Sequence, residues 1–364
     1  MTTILLAGGG TGGHLMPAIA VAQATRELHP EWRCVFVGAE RGIEASVLPE
    51  RHLPHHLLPF HPLYRRQWWK NVRWPFLLPA LMRGIDRVLD DESPAAVIGT
   101  GGYVSAPVLR RATRRGIPTG ILELDVLPGL ATRLVARRVR EIWVAAPEAL
   151  DALPRSAREH ATLTGAPIEV PDPGRRAAAS RRFGIRGGKA VVVVTGGSQG
   201  ALAVNHAVAE WIRRGGAANV QVIWATGRGT HAQFAALNNP PNVHVIPFID
   251  PMADAWSVAD VAVARSGMMT LAELCAWGIP SILVPLPTAA ADHQTHNAQA
   301  MERSGAARVV PQRALASGRL FDAIAGLLGD PARRTEMAVA ARARGRPRAA
   351  GVIALRVSAL ARSP

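Results

Sequence analysis

A short apolar run, a glycine cluster and a helical stretch follow one another near the start of this chain, and the same succession returns halfway along it. Residues 2–7 (TTILLA) lead into GGGTGGH at 8–14, then a helical stretch at 15–28 with Ile19, Val21, Ala22 and Ala24 at apolar positions. Residues 190–195 (AVVVVT) lead into GGSQGA at 196–201, then a helix over about 202–213. Further short apolar runs lie at 33–38, 95–99, 119–122 and 141–145, and at 220–225, 243–246, 260–264 and 281–285. Strands alternating with helices predict parallel, doubly wound sheets. The expected fold class is α/β, with two Rossmann-like domains facing a cleft. The 364 residues suffice for two domains at roughly 100–200 residues each. The boundary is expected near 165–175, a stretch rich in Pro and Gly.

Hydrophobic residues make up 48% and charged residues 19% of the chain, which excludes a disordered polypeptide. The formal net charge is +15, and only Lys70 and Lys189 are lysines. Such a balance favours anionic partners: nucleic acid, phospholipid or phosphorylated substrates. An Arg/Ala bias of genomic origin explains the same numbers. Two cysteines, Cys34 and Cys275, exclude a disulfide framework and a multi-cysteine metal site. Both lie in apolar stretches and are read as packing residues. No apolar run approaches the ~20 residues of a membrane span. The N-terminus has no basic n-region, so no signal peptide is expected.

The first glycine cluster contains a GxGxxG match, Gly8, Gly10 and Gly13, with Glu40 after the second strand run. Glycines let backbone approach a ligand closely, and the helix N-terminus that follows favours anions. Taken alone the match leaves open a nicotinamide or flavin site, or a tight turn with no ligand. GTGGYVSAP at 99–107 and GGSQGA at 196–201 also follow strand runs. Ligands of open α/β sheets bind outside the carboxyl ends of the strands. Three such clusters suit two substrates, at least one of them carrying phosphate.

GGTGGH, GTGGYVSAP, GGSQGA, RSGMMTLAE (265–273) and HQTHNA (293–298), in this order, closely resemble the MurG family, and GAERGIEASVLPE (38–50) and 247–267 match further blocks. Members make lipid II from lipid I in peptidoglycan synthesis. The resemblance implies a GT-B fold, UDP-GlcNAc as donor, lipid I as acceptor, inversion at the anomeric carbon, and no metal or cofactor. It divides the chain into an acceptor domain, 1–165, and a UDP-sugar domain, 166–346, with the C-terminal helix 347–364 rejoining the first. The alternatives are a GT-B transferase or nucleotide-sugar epimerase with another donor or acceptor, and a catalytically silent UDP-sugar-binding protein.

The same resemblance assigns roles. Glu273 matches the ribose-binding glutamate, Ile249 the residue whose backbone reads uracil, and Gln294 the contact to the GlcNAc hydroxyls. Ser198 is a phosphate hydrogen-bond donor, and Met268, Met269 and Thr270 open the helix that carries Glu273. Thr11, Gly12, Gly13 and Asp125 are grouped with the donor site. His14 is the candidate for catalysis and acceptor contact, since a near-neutral imidazole can accept a hydroxyl proton. Tyr103, with Thr11, is expected to touch the lipid-linked pyrophosphate.

Two segments depart from the family pattern. LELDVLPG at 122–129 stands where the family has a segment like HEQNxxPG, so Leu122, Leu124 and Asp125 replace His, Gln and Asn. GAPIE at 165–169 stands for GNPVR, so Glu169 replaces an arginine. Residues 60–84 mix Trp68, Trp69, Trp74, Phe76, Leu77 and Leu78 with Arg65, Arg66, Lys70, Arg73 and Arg83. Aromatics favour the headgroup level and bases attract anionic lipid. A core-packed helix pair with a basic outer face is the competing reading, and the prolines argue against one regular amphipathic helix. The polyprenyl-linked acceptor that the resemblance implies favours peripheral binding to an anionic membrane, on the cytoplasmic side. No recognised nucleic-acid motif is present, and no nucleic-acid partner is expected.

Overall fold

The structure is a computed structural model that describes residues 2–61, 74–197 and 199–362. Ser198 and the centre of the aromatic–basic segment, including Trp68, Trp69 and Lys70, lie outside the described residues, as do the side chains of Trp74 and Phe76.

The chain divides into two compact units, residues 1–168 with 348–364, and residues 169–347. The first is built on seven parallel strands: β1 (Thr3–Ala7), β2 (Arg33–Ala39), β3 (His55–Leu58), β4 (Ala96–Gly99), β5 (Thr119–Glu123), β6 (Glu141–Val144) and β7 (Ala161–Leu163). Their order is β3-β2-β1-β4-β5-β6-β7. The second unit holds six: β8 (Ala190–Thr195), β9 (Val220–Ala225), β10 (Val243–Ile246), β11 (Val261–Ala264), β12 (Ser281–Leu283) and β13 (Ala307–Val309). Their order is β10-β9-β8-β11-β12-β13. Both sheets are parallel throughout. The expected pair of doubly wound α/β sheets is therefore the fold observed.

Strands β1 and β8 lie inside their sheets and are covered on both faces. They read as unbroken apolar runs, TILLA and AVVVVT, for that reason. Strand order reverses beside each of them, between β1 and β4 and between β8 and β11. At these switch points the helices on either side diverge and leave a crevice at the carboxyl ends of the strands. The glycine clusters after β1, β4 and β8 all open there.

The helix Ala349–Arg362 follows the break at Gly345–Pro347 and packs on Gly12–Leu28 within the first unit. Its own Ile353, Ala354 and Val357 are buried. The His29 imidazole Nε2 and Ser358 Oγ lie 2.8 Å apart, and Arg356 pairs with Glu141 at 2.9 Å. Both cysteines are buried, and desolvation pushes the Cys34 thiol up to about 11, so it stays a neutral packing group. The prolines of the aromatic–basic segment do not prevent a helix over Trp74–Glu92. Pro75 falls in the first turn, where no N–H is needed, and Pro79 removes one bond near the start. Phe60, at the head of that segment, is a core residue, whereas Leu78 is exposed.

Ile353→Ala empties a fully buried site at the seam of the C-terminal helix and is expected to destabilise the first unit by about 2–4 kcal/mol. Urea denaturation with hydrogen exchange of the β1 and β4 amides reads this; a change below about 1 kcal/mol would show the helix to be dispensable for that unit.

Candidate active site

In the first unit, the two glycine loops at the β1/β4 switch point are built into one another. Thr100 Oγ donates to the carbonyl of His14 at 2.8 Å, and a Cβ on Gly8 would lie 1.9 Å from the same hydroxyl oxygen. Gly101, at φ +99, lets the His14 ring lie against its backbone; a Cβ there would stand 2.4 Å from His14 Cδ2. Ser105 completes the junction by bonding Gly101 N at 2.9 Å and the Ala7 carbonyl at 2.6 Å. The Tyr103 ring packs on Gly10.

Thr11, Gly12, Gly13 and His14 thus form the first turn of the helix Gly12–Leu28, with Thr11 as its N-cap in extended conformation. His14 is half-buried, and its Nδ1 lies 3.0 Å from Thr11 Oγ1, a contact that fixes the ring plane. The His14 ring thus lies on the second loop and the Tyr103 ring on the first.

The loop is held from below by a residue the sequence reading missed. Glu44 is fully buried and accepts the Gly10 N–H on both oxygens, at 3.0 and 2.9 Å, and the Ala39 N–H at 2.8 Å. Gly9, Gly38 and Gly42 make room for its carboxylate. Glu40, the acidic residue of the dinucleotide reading, is exposed. Gly38 and Gly42 stand close to Glu44 in the 38–50 block, whereas Gly9 and Gly10 lie a long stretch of chain before it.

One strand further on, Glu123 ends β5, buried, with Oε1 accepting the Asp125 N–H at 3.0 Å and Oε2 the Gly129 N–H at 2.8 Å. Leu122 and Leu124, the departures on either side, are buried apolar residues. Asp125 is half-buried, its backbone anchored by that carboxylate. Burial pushes the Glu123 carboxyl up to about 7, against the Thr132 hydroxyl and the two amides, which favour the anion, while the neighbouring Asp125 charge adds to the rise.

In the second unit, the loop after β8 and the segments after β9, β11 and β12 converge. Gly200 (φ +75) and Gly227 touch through their backbones; a Cβ on Gly227 would lie 2.5 Å from Gly200 Cα. After β11, Ser266 Oγ donates to the Gln294 carbonyl at 2.7 Å, and the Gln294 side-chain Oε1 accepts Leu286 N–H at 3.1 Å. The side-chain amide is thereby oriented. Met268, Met269 and Thr270 form the first turn of the helix Met268–Trp277 behind Gly267, where backbone N–H groups lack helical partners.

Glu273 lies on that helix, with Oε2 accepting the Trp256 indole N–H at 2.8 Å. Desolvation raises its pKa, the Trp256 bond opposes the rise, and the charge of Glu169 reinforces it. Glu169, the departure at the junction, forms an ion pair with Arg175. Ile249 is buried in the turn that follows β10. The Arg265 guanidinium lies inward on the Val284 and Pro285 carbonyls and Gln312, and burial lowers its pKa.

Models of two domains match this chain: the glycosyltransferase family 28 N-terminal domain over residues 4–144 and the glycosyltransferase family 28 C-terminal domain over residues 191–352. The protein is therefore a glycosyltransferase of the two-domain GT-B class. A protein of Salinibacter ruber named UDP-N-acetylglucosamine--N-acetylmuramyl-(pentapeptide) pyrophosphoryl-undecaprenol N-acetylglucosamine transferase is 40% identical, covering 98% of this chain and 96% of its own length. The protein of the same name from Sorangium cellulosum is 41% identical, covering 100% of this chain and 90% of its own. The crystal structure of Acinetobacter baumannii MurG superposes with a TM-score of 0.79 at 25% identity, covering 99% of this chain and 100% of that one. The chain belongs to the MurG family. The nicotinamide or flavin reading of the first loop is overturned by this membership.

Because the folded pKa of Glu123 lies above its ordinary value of 4.5, its contribution to stability is complete below that value and is lost as pH rises through about 7. The shift corresponds to roughly 3 kcal/mol at most. Glu123→Gln is expected to flatten the fall in stability between pH 5 and 8 in urea titrations. Parallel pH slopes for the two proteins would contradict the assignment.

Proposed function

We infer that the protein transfers GlcNAc from UDP-GlcNAc to the MurNAc 4-hydroxyl of undecaprenyl-pyrophosphoryl-MurNAc-pentapeptide, lipid I, to give lipid II. The observation that carries this reading is the near-full-length identity to transferases bearing that name. Transfer needs a held leaving group, an activated hydroxyl and alignment of the two.

The acceptor hydroxyl attacks the anomeric carbon, the bond to the UDP oxygen breaks, and the configuration inverts. Negative charge grows on the departing diphosphate as the hydroxyl loses its proton. In our reading His14 takes that proton, and the Thr11 contact to Nδ1 sets the orientation of the ring. Thr11 and Tyr103 contact the lipid-linked pyrophosphate, and Thr11, Gly12, Gly13 and Asp125 complete the donor side of the first unit's loops.

On the second unit, the first-turn amides of Met268, Met269 and Thr270 stabilise the diphosphate charge, with Ser198 as a further donor. Glu273 accepts the ribose hydroxyls, the Ile249 backbone reads uracil, and the Gln294 amide bonds the GlcNAc hydroxyls. A carboxylate suits a vicinal diol because it offers two acceptor oxygens and no donor.

The acceptor's polyprenyl chain requires a membrane surface. We assign this contact to residues 60–84, on the cytoplasmic side, as a peripheral attachment. Exposed Leu78 and Arg83 extend the segment into the described helix. No helix among the described residues is long and apolar enough to cross a membrane.

Radiolabelled GlcNAc should pass from UDP-GlcNAc to a short-chain lipid I analogue in the presence of purified protein, and from UDP-GalNAc or UDP-glucose far more slowly. His14→Ala should lower kcat by about 10²–10⁴-fold, and Glu273→Ala should weaken UDP-GlcNAc binding by roughly tenfold or more. Donor binding with no transfer would refute the reaction, and unchanged donor affinity would remove Glu273 from the ribose. Trp68→Ser with Trp69→Ser should reduce binding to anionic vesicles in a sedimentation assay while the protein keeps its far-UV spectrum. Undiminished vesicle binding would detach the membrane role from this segment.

A further inference from the structure

Glu273 sits on a helix of its own, yet its orientation is fixed from a different element. The partner is Trp256, on the helix Met252–Val258 that precedes β11. Trp256 is buried, with its indole N–H 2.8 Å from Glu273 Oε2. A carboxylate on a flexible glutamate side chain can rotate through many orientations. One fixed donor on Oε2 restricts it and leaves Oε1 to accept from another group.

The helix that carries Trp256 is itself clamped. Asp254, one half-turn before the tryptophan, pairs with Arg175 at 3.2 Å and Arg182 at 2.7 Å. Arg176 donates to the Ser257 carbonyl at 3.0 Å, and Arg182 also reaches the Asp250 carbonyl at 3.2 Å. Three arginines of the helix Arg175–Arg182 thus hold the segment that aims the indole. The indole ring buries its apolar body among core residues of the unit, including Ile249 and Leu271. Its one polar atom is directed at Glu273.

We propose that Trp256 is a positioning residue for donor recognition: its indole N–H holds one oxygen of Glu273 so that the other meets the ribose diol. The proposal rests on the ribose role of Glu273. Trp256 itself does not touch the nucleotide. Its effect on UDP affinity passes through the carboxylate alone.

The charged groups around Glu273 set the second readout. Burial and Glu169 raise its pKa, Arg175 partly neutralises Glu169, and the Trp256 bond opposes the rise. Loss of the indole N–H therefore raises the pKa further, and the acid-side loss of donor affinity moves to higher pH.

The test is a double-mutant cycle read by calorimetric titration with UDP across pH 5–8. Trp256→Phe is expected to weaken UDP about three- to tenfold in the parent protein, and not to weaken it further in the Glu273→Ala background. It is also expected to shift the acid limb of the affinity profile upward in pH. A site-specific benzothienylalanine at position 256, which keeps the ring shape and replaces N–H by sulfur, should reproduce both effects if the phenylalanine variant does not fold. Equal weakening in both backgrounds would overturn the proposal in favour of plain packing. Full UDP affinity in Trp256→Phe, with Glu273→Ala still weakened, would overturn positioning and leave the ribose role intact. Full affinity in Glu273→Ala would overturn both.

Discussion

A parallel sheet leaves a difficulty at its carboxyl ends. The loops there have left the ladder, yet they must be close-packed and rigid to hold a ligand, and their backbone amides still need acceptors. In this protein buried carboxylates supply them. Glu44 takes the amides of Gly10 and Ala39, and Glu123 those of Asp125 and Gly129. Each carboxylate accepts from more than one element or from a turn, and so joins a loop to the sheet beneath it. The glycines follow from this arrangement. Gly9, Gly38 and Gly42 are small because the Glu44 carboxylate occupies the space that their side chains would fill.

The same device serves two ends that differ in consequence. Glu44 has several amides directed at it, and the glycine loop is locked in place. Glu123 has a carboxyl raised to about 7, chiefly by its own burial, with the neighbouring Asp125 charge adding to the rise. The turn at 125–129 is therefore bound to a group whose charge changes near neutrality. This turn is also where the chain departs from its family. Leu122 and Leu124 put apolar side chains where polar ones are usual, and both are buried.

The architecture was legible in the sequence wherever a strand lies inside its sheet. TILLA and AVVVVT carry strong apolar runs because both faces are covered, and the glycine clusters mark where each chain turns. Of the edge strands, β10 (VHVI) registered as an apolar run, and the other three did not. β3 is HHLL, β7 is ATL and β13 is ARV, each too short or too polar to register as a run. An edge strand in a parallel sheet has only one neighbour, and its sequence is correspondingly less constrained. The first-turn residues Thr11–His14 and Met268–Thr270 could be found from motifs because they are local. Glu44 and Trp256 could not. Their partners lie 34 and 17 residues away in sequence, and a glutamate in a short helix or a tryptophan in an apolar one carries no local mark of such a role.

The exchange of arginine for glutamate at position 169 reads differently in three dimensions than in sequence. Taken alone, Glu169 adds negative charge beside the carboxylate of Glu273, and the raised pKa of Glu273 records that influence. The glutamate does not stand alone, however. Arg175 pairs with it and also with Asp254, whose second partner is Arg182. Glu169 and Arg182 are more exposed than Asp254, so each individual pair contributes modestly to stability. Their importance is geometric. The four charges alternate in sign, and the chain of contacts runs from the inter-unit junction to the helix that carries Trp256. Where the family pattern has a cation at position 169 this chain has an anion, and the cation that pairs with it, Arg175, is built into the scaffold that holds the Trp256 helix against Glu273.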